Sequence, residues 1–318
     1  VVPLYNEEAN VGYLFEKLLS VLGSLETTYE IICVNDGSKD DTLSCLVEYH
    51  HRNPVIKVIN FSRNFGKEVA LTAGIDHATG AAIIPIDADL QDPPELIEKL
   101  VSKWREGYDV VYATRRSRQG ESWLKRLTAN FFYQTIGQMS RVSIPPHTGD
   151  FRLLDRRVVE ALKQLPERTR FMKGLFAWVG FKQTSVLFDR NPRLKGTTKW
   201  NYWRLWNFAI DGITSFSFLP LKVWSYVGLT LSMFSLLYAT FLIIHTLVSG
   251  IDVPGYASIM VAVLFLGGIQ LLTLGILGEY LGRVYEEVKG RPLYLVRECY
   301  GFDRKQQVDE EVHHSINS

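Results

Sequence analysis

Ile83-Ile84-Pro85-Ile86-Asp87-Ala88-Asp89-Leu90-Gln91-Asp92-Pro93-Pro94-Glu95 carries the pattern on which the reading of the fold turns. Its apolar approach, Ala81 to Ile86, suits a fully buried strand. The polar burst after it suits the loop at that strand's carboxyl end, where open α/β sheets bind ligands. Asp87 and Asp89 sit two apart. In an extended segment both carboxylates point the same way and can face one hard cation, and Gln91 continues the series with a neutral oxygen. Pro93-Pro94 stiffens the exit and Glu95 begins a helix. A lone Asp-x-Asp is more often a polar loop with an acidic helix cap, so its neighbours decide the matter.

Working outward, the same design repeats. Val1-Val2-Pro3-Leu4 is a strand that runs into Tyr5-Asn6-Glu7-Glu8, and Val11, Leu14, Phe15, Leu18, Leu19 and Leu22 follow at helical spacing. Glu30 to Val34 is a second strand, ending in Asn35-Asp36-Gly37-Ser38-Lys39-Asp40-Asp41-Thr42, with a carboxylate, a glycine turn and a helix cap. Val55 to Phe61 is a third, followed by Ser62-Arg63-Asn64-Phe65-Gly66-Lys67 and an apolar helix through Ala78. The Asp-x-Asp strand is the fourth, and Asp109 to Thr114, ending in Arg115-Arg116, is the fifth. Strands alternating with helices predict a mostly parallel, doubly wound α/β sheet with its polar strand ends on one rim. That is the geometry of a nucleotide site. Neither GxGxxG nor GxxxxGKS/T occurs, so the phosphates need another holder, and an Asp-x-Asp metal is the available candidate.

Composition narrows the class. With 318 residues the chain can hold a sizeable core and two structural regions, and 35 basic against 34 acidic residues argue against a nucleic-acid partner. Cys33, Cys45 and Cys299 have no metal-type spacing and read as reduced, small apolar residues. The chain opens inside a strand without a Met, so a few residues are expected to precede Val1, and no signal peptide is visible.

Four ordered motifs together carry a resemblance: Val-Pro-Leu-Tyr-Asn-Glu-Glu (2–8), Val-Asn-Asp-Gly-Ser-x-Asp-x-Thr (34–42), Arg-Asn-Phe-Gly-Lys (63–67) and Asp-Ala-Asp-Leu-Gln-Asp-Pro-Pro-Glu (87–95). Across about residues 1–285 the chain resembles the family 2 glycosyltransferases, in the branch of dolichol-phosphate mannose synthase and the bactoprenol glucosyltransferases of the GtrB type. The resemblance implies a glycosyltransferase A-type, Rossmann-like sheet. It further implies that Asp87, Asp89 and Gln91 hold Mg²⁺ or Mn²⁺ on a nucleotide-sugar diphosphate, with Pro3, Tyr5, Glu7, Asp36 and Lys67 completing the donor site. Asp150, in His147-Thr148-Gly149-Asp150-Phe151-Arg152, matches the family's catalytic aspartate, and Asp89 joins it in the catalytic set. A helix cap after Gly149 is the plainer reading of Asp150. A lipid phosphate is already mostly dianionic near neutral pH, so Asp150 is expected to position substrate more than to remove a proton.

The acceptor side reads as basic and apolar. Arg115, Arg116 and Arg118 precede, and Lys125 and Arg126 open, an amphipathic run from Trp123 to Ile136, and Arg193, Lys195 and Lys199 lead into a helix rich in Trp. Such clusters are often only solvated faces. Beside apolar helices, Arg115, Arg126, Arg193, Lys195 and Lys199 are candidates for an anionic lipid headgroup. Val223 to Val248 and Gly255 to Gly278 contain no Asp, Glu, Lys or Arg, and each exceeds the roughly 20 residues that span a bilayer. Lys222 on one side and Arg283, Lys289, Arg291 and Arg297 on the other predict a cytoplasmic catalytic domain on an inner membrane.

The expected organisation is therefore a nucleotide-sugar domain (1–195), a juxtamembrane amphipathic helix (196–220), two transmembrane helices (221–285) and a C-terminal tail (286–318). Gly267-Gly268, Gly275 and Gly278 are candidates for homo-oligomer contacts between such helices. The leading expectation is an inverting transfer of a hexose, glucose first, from a UDP-sugar to undecaprenyl phosphate. The alternatives are a GDP-mannose enzyme of the dolichol-phosphate type, a processive polysaccharide synthase and a membrane-tethered nucleotide-binding regulator. Processive synthases carry Gln-x-x-Arg-Trp, and Gln138-Met139-Ser140-Arg141-Val142 lacks the Trp.

Overall fold

The computed structural model describes residues 1–115, 148–165, 167–168, 172–188, 219–249 and 255–302. The strand–helix alternation expected of the amino-terminal half is present: β1 (Val2–Leu4), α1 (Glu8–Gly23), β2 (Ile31–Asn35), α2 (Thr42–Arg52), β3 (Ile56–Phe61), α3 (Lys67–His77), β4 (Ala82–Ile83), α4 (Leu96–Arg105) and β5 (Val110–Arg115). After it come β6 (Thr148–Asp155), α5 (Arg156–Lys163), α6 (Met172–Trp178), β7 (Gln183–Phe188), α7 (Leu219–Ser249), α8 (Tyr256–Val288) and β8 (Val296–Tyr300).

Strand β2 shows why the sheet has helices on both faces. Ile31 and Cys33 join one apolar cluster with Val11, Leu14 and Phe15 of α1, while Ile32 and Val34 join another with Ala70, Leu71 and Ala73 of α3. Period-2 alternation sends neighbouring residues to opposite faces, so a strand buried on both sides is apolar throughout. Each fully buried Leu or Phe in these layers contributes about 1.5–3 kcal/mol relative to exposure. Burial also pushes the Cys33 thiol up to about 12, consistent with its reading as an inert, apolar side chain.

β1, β2 and β3 pair in parallel, and β4–β6, β6–β5 and β3–β8 pair antiparallel, with β5–β7 parallel again. The strands thus form two four-stranded mixed sheets, ordered β1-β2-β3-β8 and β4-β6-β5-β7, with the parallel order concentrated in the first. Two backbone bonds stitch the halves together: the Val1 nitrogen donates to Ile84 O (2.9 Å) and Ile86 N donates to Val1 O (2.9 Å). The fourth strand is consequently shorter than expected, since only Ala82–Ile83 pairs as a strand and 84–86 runs beside Val1. Because β6 is antiparallel to β4, its first residues return to the rim where the parallel strands end, and this brings Asp150 there.

The tail expected from residue 286 onward is corrected in its first part. β8 adds to the outer edge of β3, Tyr294 stacks on Phe61 (ring centroids 5.1 Å apart), and Ser62 N donates to Leu295 O at 3.0 Å. Residues 296–300 therefore belong to the sheet of β1, β2 and β3. A backbone contact at the foot of α8, Arg168 N to Glu287 Oε1 at 2.8 Å, ties the helix to the same body.

α7 and α8, of 31 and 33 residues, have apolar side chains on their outsides. Within α8, Phe265–Val288 (24 residues, mean hydropathy 1.3) is long and apolar enough to cross a membrane, the one such helix among the described residues. The juxtamembrane helix expected at 196–220 lies outside the described residues up to 218, as do the connector 250–254 and the tail from 303.

Candidate active site

The first two motifs interlock through short-range hydrogen bonds. Asn6 N donates to Ser38 Oγ (3.0 Å), Lys39 N to Asn6 Oδ1 (2.8 Å) and Glu7 N to Thr42 Oγ1 (2.9 Å), while Asp40 Oδ1 accepts from that hydroxyl at 2.6 Å. Exchanged side chain to backbone bonds of this kind fix two loops against each other and satisfy the amides at the start of a helix. Pro3 and Tyr5 are half-buried at the end of β1, and the Glu7 carboxylate accepts from Asn10 Nδ2 at 2.6 Å.

Asp36, only 3% exposed, stands at the end of β2 and turns its carboxylate toward the third motif. Phe65 N donates to Oδ1 at 2.6 Å and Gly66 N to Oδ2 at 3.0 Å. Burial raises the pKa of this carboxyl, and the two amide bonds partly oppose that rise. Gly37 is required beside it: a Cβ there would stand 2.4 Å from the Arg63 carbonyl carbon, at φ 64. In the structure Asp36 is thus the anchor that shapes the 63–66 loop, a job the resemblance did not indicate.

That loop ends on Gly66, at φ 101, and releases Lys67 as the first residue of α3. The Lys67 ammonium lies 2.7 Å from Asp87 Oδ1 and 2.7 Å from Asp150 Oδ2. Three residues from three motifs, separated by up to 83 positions, therefore meet at one point of the rim. The two carboxylates hold the Lys67 pKa well above its usual value although burial alone would lower it.

Behind Asp150, on the same face of β6, lies Arg152, 5% exposed, with its guanidinium 4.3 Å from the Phe176 ring centroid and donating to Gly149 O at 2.8 Å. Burial lowers its pKa to about 10, against the opposing pull of Asp150 and Glu68. Asp150 thus sits between two cations. Sequence alone does not single out Arg152. The i, i+2 relation to Asp150 on a strand was the available signal.

The expectation of an extended Asp87-Ala88-Asp89 is corrected. Leu90 adopts φ 49 and its N–H reaches back to Asp87 O at 3.4 Å, so the segment turns. Asp89 Oδ1 accepts from Gln91 N at 3.2 Å. A buried non-glycine residue in the left-handed region is strained, and such strain collects at functional sites. Gln91 is 7% exposed and its Oε1 is buried with no hydrogen-bond partner among the described residues.

No group of three or more His, Cys, Asp or Glu side chains that could hold a metal occurs among the described residues. The donor set of two carboxylates with a buried amide oxygen nonetheless fits a hard ion of the Mg²⁺ type. Such ions are held by one or two carboxylates, with water and substrate phosphates supplying the rest. Arg115 is the last residue of β5, whereas Arg126, Arg193, Lys195 and Lys199 lie outside the described residues.

Known proteins resemble the chain along nearly its whole length. The family described as Glycosyl transferase family 2 matches residues 1–163, and the GtrB C-terminal hairpin matches residues 219–284. An uncharacterized glycosyltransferase of Synechocystis sp. is 69% identical over 303 residues, covering 95% of this chain and 95% of that one. The SfII prophage-derived bactoprenol glucosyl transferase of Shigella flexneri is 47% identical over 300 residues, covering 94% of this chain and 97% of that one. Among solved structures, glucosyl-3-phosphoglycerate synthase from Mycobacterium tuberculosis shares 20% identity at a TM-score of 0.45, over 67% of this chain and 76% of that one. On the family match over more than half its length and on these full-length relatives, the chain belongs to glycosyltransferase family 2 and carries a GtrB-type hairpin at its carboxyl end.

Proposed function

We propose that the chain transfers glucose from UDP-glucose to undecaprenyl phosphate at the cytoplasmic face of the membrane, inverting the anomeric carbon. The observation that carries this reading is the meeting of Lys67, Asp87 and Asp150 at one rim, in a chain that matches bactoprenol glucosyl transferases over nearly their whole length. Glucose follows the names of those relatives, and UDP follows the bacterial branch of the resemblance.

Asp87, Asp89 and Gln91 would hold Mg²⁺ or Mn²⁺, which when bound offsets the charge gathering on the departing diphosphate. Pro3, Tyr5 and Glu7 line the approach to the nucleotide, and Asp36 serves it by fixing the 63–66 loop. An acceptor phosphate oxygen attacks the anomeric carbon while the bond from that carbon to UDP breaks, its electron pair leaving with UDP. The acceptor's second pKa is about 6, so near neutral pH little proton remains to be taken. Asp150, flanked by Lys67 and Arg152, is accordingly assigned to positioning the sugar and the attacking phosphate. Arg115, Arg126, Arg193, Lys195 and Lys199 are assigned to the lipid phosphate. The hairpin α7–α8 anchors the sheet at the bilayer, with its glycines available for contacts between copies.

Membranes containing the chain, given undecaprenyl phosphate and labelled UDP-glucose, UDP-galactose or GDP-mannose, are expected to yield labelled lipid from UDP-glucose alone. Labelled lipid from GDP-mannose would overturn the donor, and label in a polymer would favour a processive synthase. Asp150→Asn is expected to lower kcat far more than donor affinity, with a loss that stays nearly flat as pH rises past the acceptor's second pKa. A loss that vanishes with rising pH would return Asp150 to the role of base.

A further inference from the structure

The contact between Lys67 and Asp87 has a consequence for metal binding. One ammonium engages both oxygens of this carboxylate, Oδ1 at 2.7 Å and Oδ2 at 2.9 Å, and also Asp150 Oδ2 at 2.7 Å. A divalent cation on Asp87 would meet the same ammonium at a few ångströms, where like charges repel strongly even in a high effective dielectric. The cation and the ammonium cannot both keep the two oxygens that Lys67 now spans, and their repulsion favours giving up the contact. Lys67 has the means to move: it is the first residue of α3, follows Gly66 at φ 101, carries its charge on a four-carbon stem and is 44% exposed at the side chain. Asp150 would not be abandoned by such a move, because buried Arg152 stays behind it.

We propose that Lys67 is an exchangeable counter-ion of the donor site, neutralising Asp87 and Asp150 until a divalent cation and a nucleoside diphosphate arrive together, then ceding Asp87 to the cation and pairing with the diphosphate. A cation arriving alone must displace the ammonium without offering it a new anion, so it binds weakly. A diphosphate supplies that anion. Cation and nucleotide then strengthen each other's binding by the same factor. This inference rests on the assignment of the metal to Asp87 and Asp89 in the proposed function.

The test is Mn²⁺ binding to the full chain in lipid nanodiscs, read from the electron paramagnetic resonance of free Mn²⁺, with and without UDP. In the unsubstituted chain UDP is expected to tighten Mn²⁺ binding by about tenfold or more, the size of one partly exposed charge contact. Lys67→Met should bind Mn²⁺ alone about tenfold more tightly, with most of the gain from UDP gone. Lys67→Gln should behave likewise, and Lys67→Arg should keep the weak binding of Mn²⁺ alone. Thermal melting of each variant identifies any that fails to fold. If folded Lys67→Met and Lys67→Gln bind Mn²⁺ alone no better than the original chain, the exchange is overturned. Asp89→Asn separates the two levels of argument. If it binds Mn²⁺ unchanged, the metal assignment itself falls; if it loses Mn²⁺ while the Lys67 variants are silent, that assignment stands and only the exchange fails.

Discussion

Leu100 and Leu271 are the same residue type on two helices of one chain, yet Leu100 is fully buried and Leu271 is 72% exposed. Helix α4 buries Leu96, Ile97 and Leu100 on one stripe against the sheet and turns Glu98 and Lys99 outward. Along α8, by contrast, Phe265, Leu266, Leu271, Leu272, Leu274, Leu277 and Leu281 are exposed around much of the helix, and none of the apolar window is buried. A one-sided stripe is a helix whose partner is its own chain. An apolar surface on many sides needs a partner from outside, and this length matches a bilayer.

The contrast can be broken by substitution. Leu100→Ala should cost about 2–5 kcal/mol of stability, read by denaturant unfolding, whereas Leu271→Ala should leave the catalytic domain's unfolding midpoint in place. Equal losses would mean that α8 packs within the chain. Asp89→Ala probes the rim that the sheet supports. It should lower product formation by about 10²–10³-fold, or about 2.7–4 kcal/mol, with an unchanged melting temperature. Near-normal turnover with EDTA present would remove the metal from the mechanism.

Leu271→Arg sharpens the contrast by its sign. In a bilayer the charge should cost about 2.5–3.5 kcal/mol of insertion, seen as loss from the membrane fraction. On a helix facing water the same change would stay within about 0.5 kcal/mol. The smallest effect belongs to the Glu30 carboxylate, away from the rim, which pairs with Lys57 at 2.8 Å and accepts from Thr79 N at 2.7 Å. Burial would raise its pKa, but Lys57 and Thr79 outweigh that and hold it below the ordinary 4.5. A depressed carboxyl stabilises the fold above its unfolded value, and that stability is lost as pH falls through the folded value. Glu30→Gln should therefore cost about 1 kcal/mol at neutral pH and progressively less below pH 4.5. A cost that persists in acid would point to packing instead.

Much of the rim was legible because its signals are local. Apolar runs ending in Asp36, Lys67 and Asp87 mark strand ends, and parallel strands place such ends together. Asp150 was recognised from its motif; what puts it at the rim is the antiparallel course of β6, a property of pairing that no single segment carries. The extended reading of Asp87-Ala88-Asp89 failed at Leu90, whose positive φ is unusual for a leucine and has no composition cue. Arg152 has no motif signal of its own, because the stretch around Asp150 reads from sequence as a helix cap and only the pairing of β6 makes it a strand. β8 reads as tail because Val-Arg-Glu-Cys-Tyr is short and half-polar. Its partner β3 lies more than two hundred residues earlier, and such pairing leaves no trace in a local window.

The pairing of β3 with β8 also sets an order of events during synthesis. Phe61 meets Val296 only after both long helices have left the ribosome, so the outer edge of β3 stays uncovered while the hairpin is made. Loop closure across that interval comes late and slowly. An uncovered strand edge is a template for pairing with another chain. A fragment that stops before Leu219 would keep this edge permanently open, and should form aggregates in proportion to its concentration where the full chain does not. Hairpin and catalytic domain are thus coupled before any substrate is met: the last strand can be laid down only by a polypeptide that has already completed both long apolar helices.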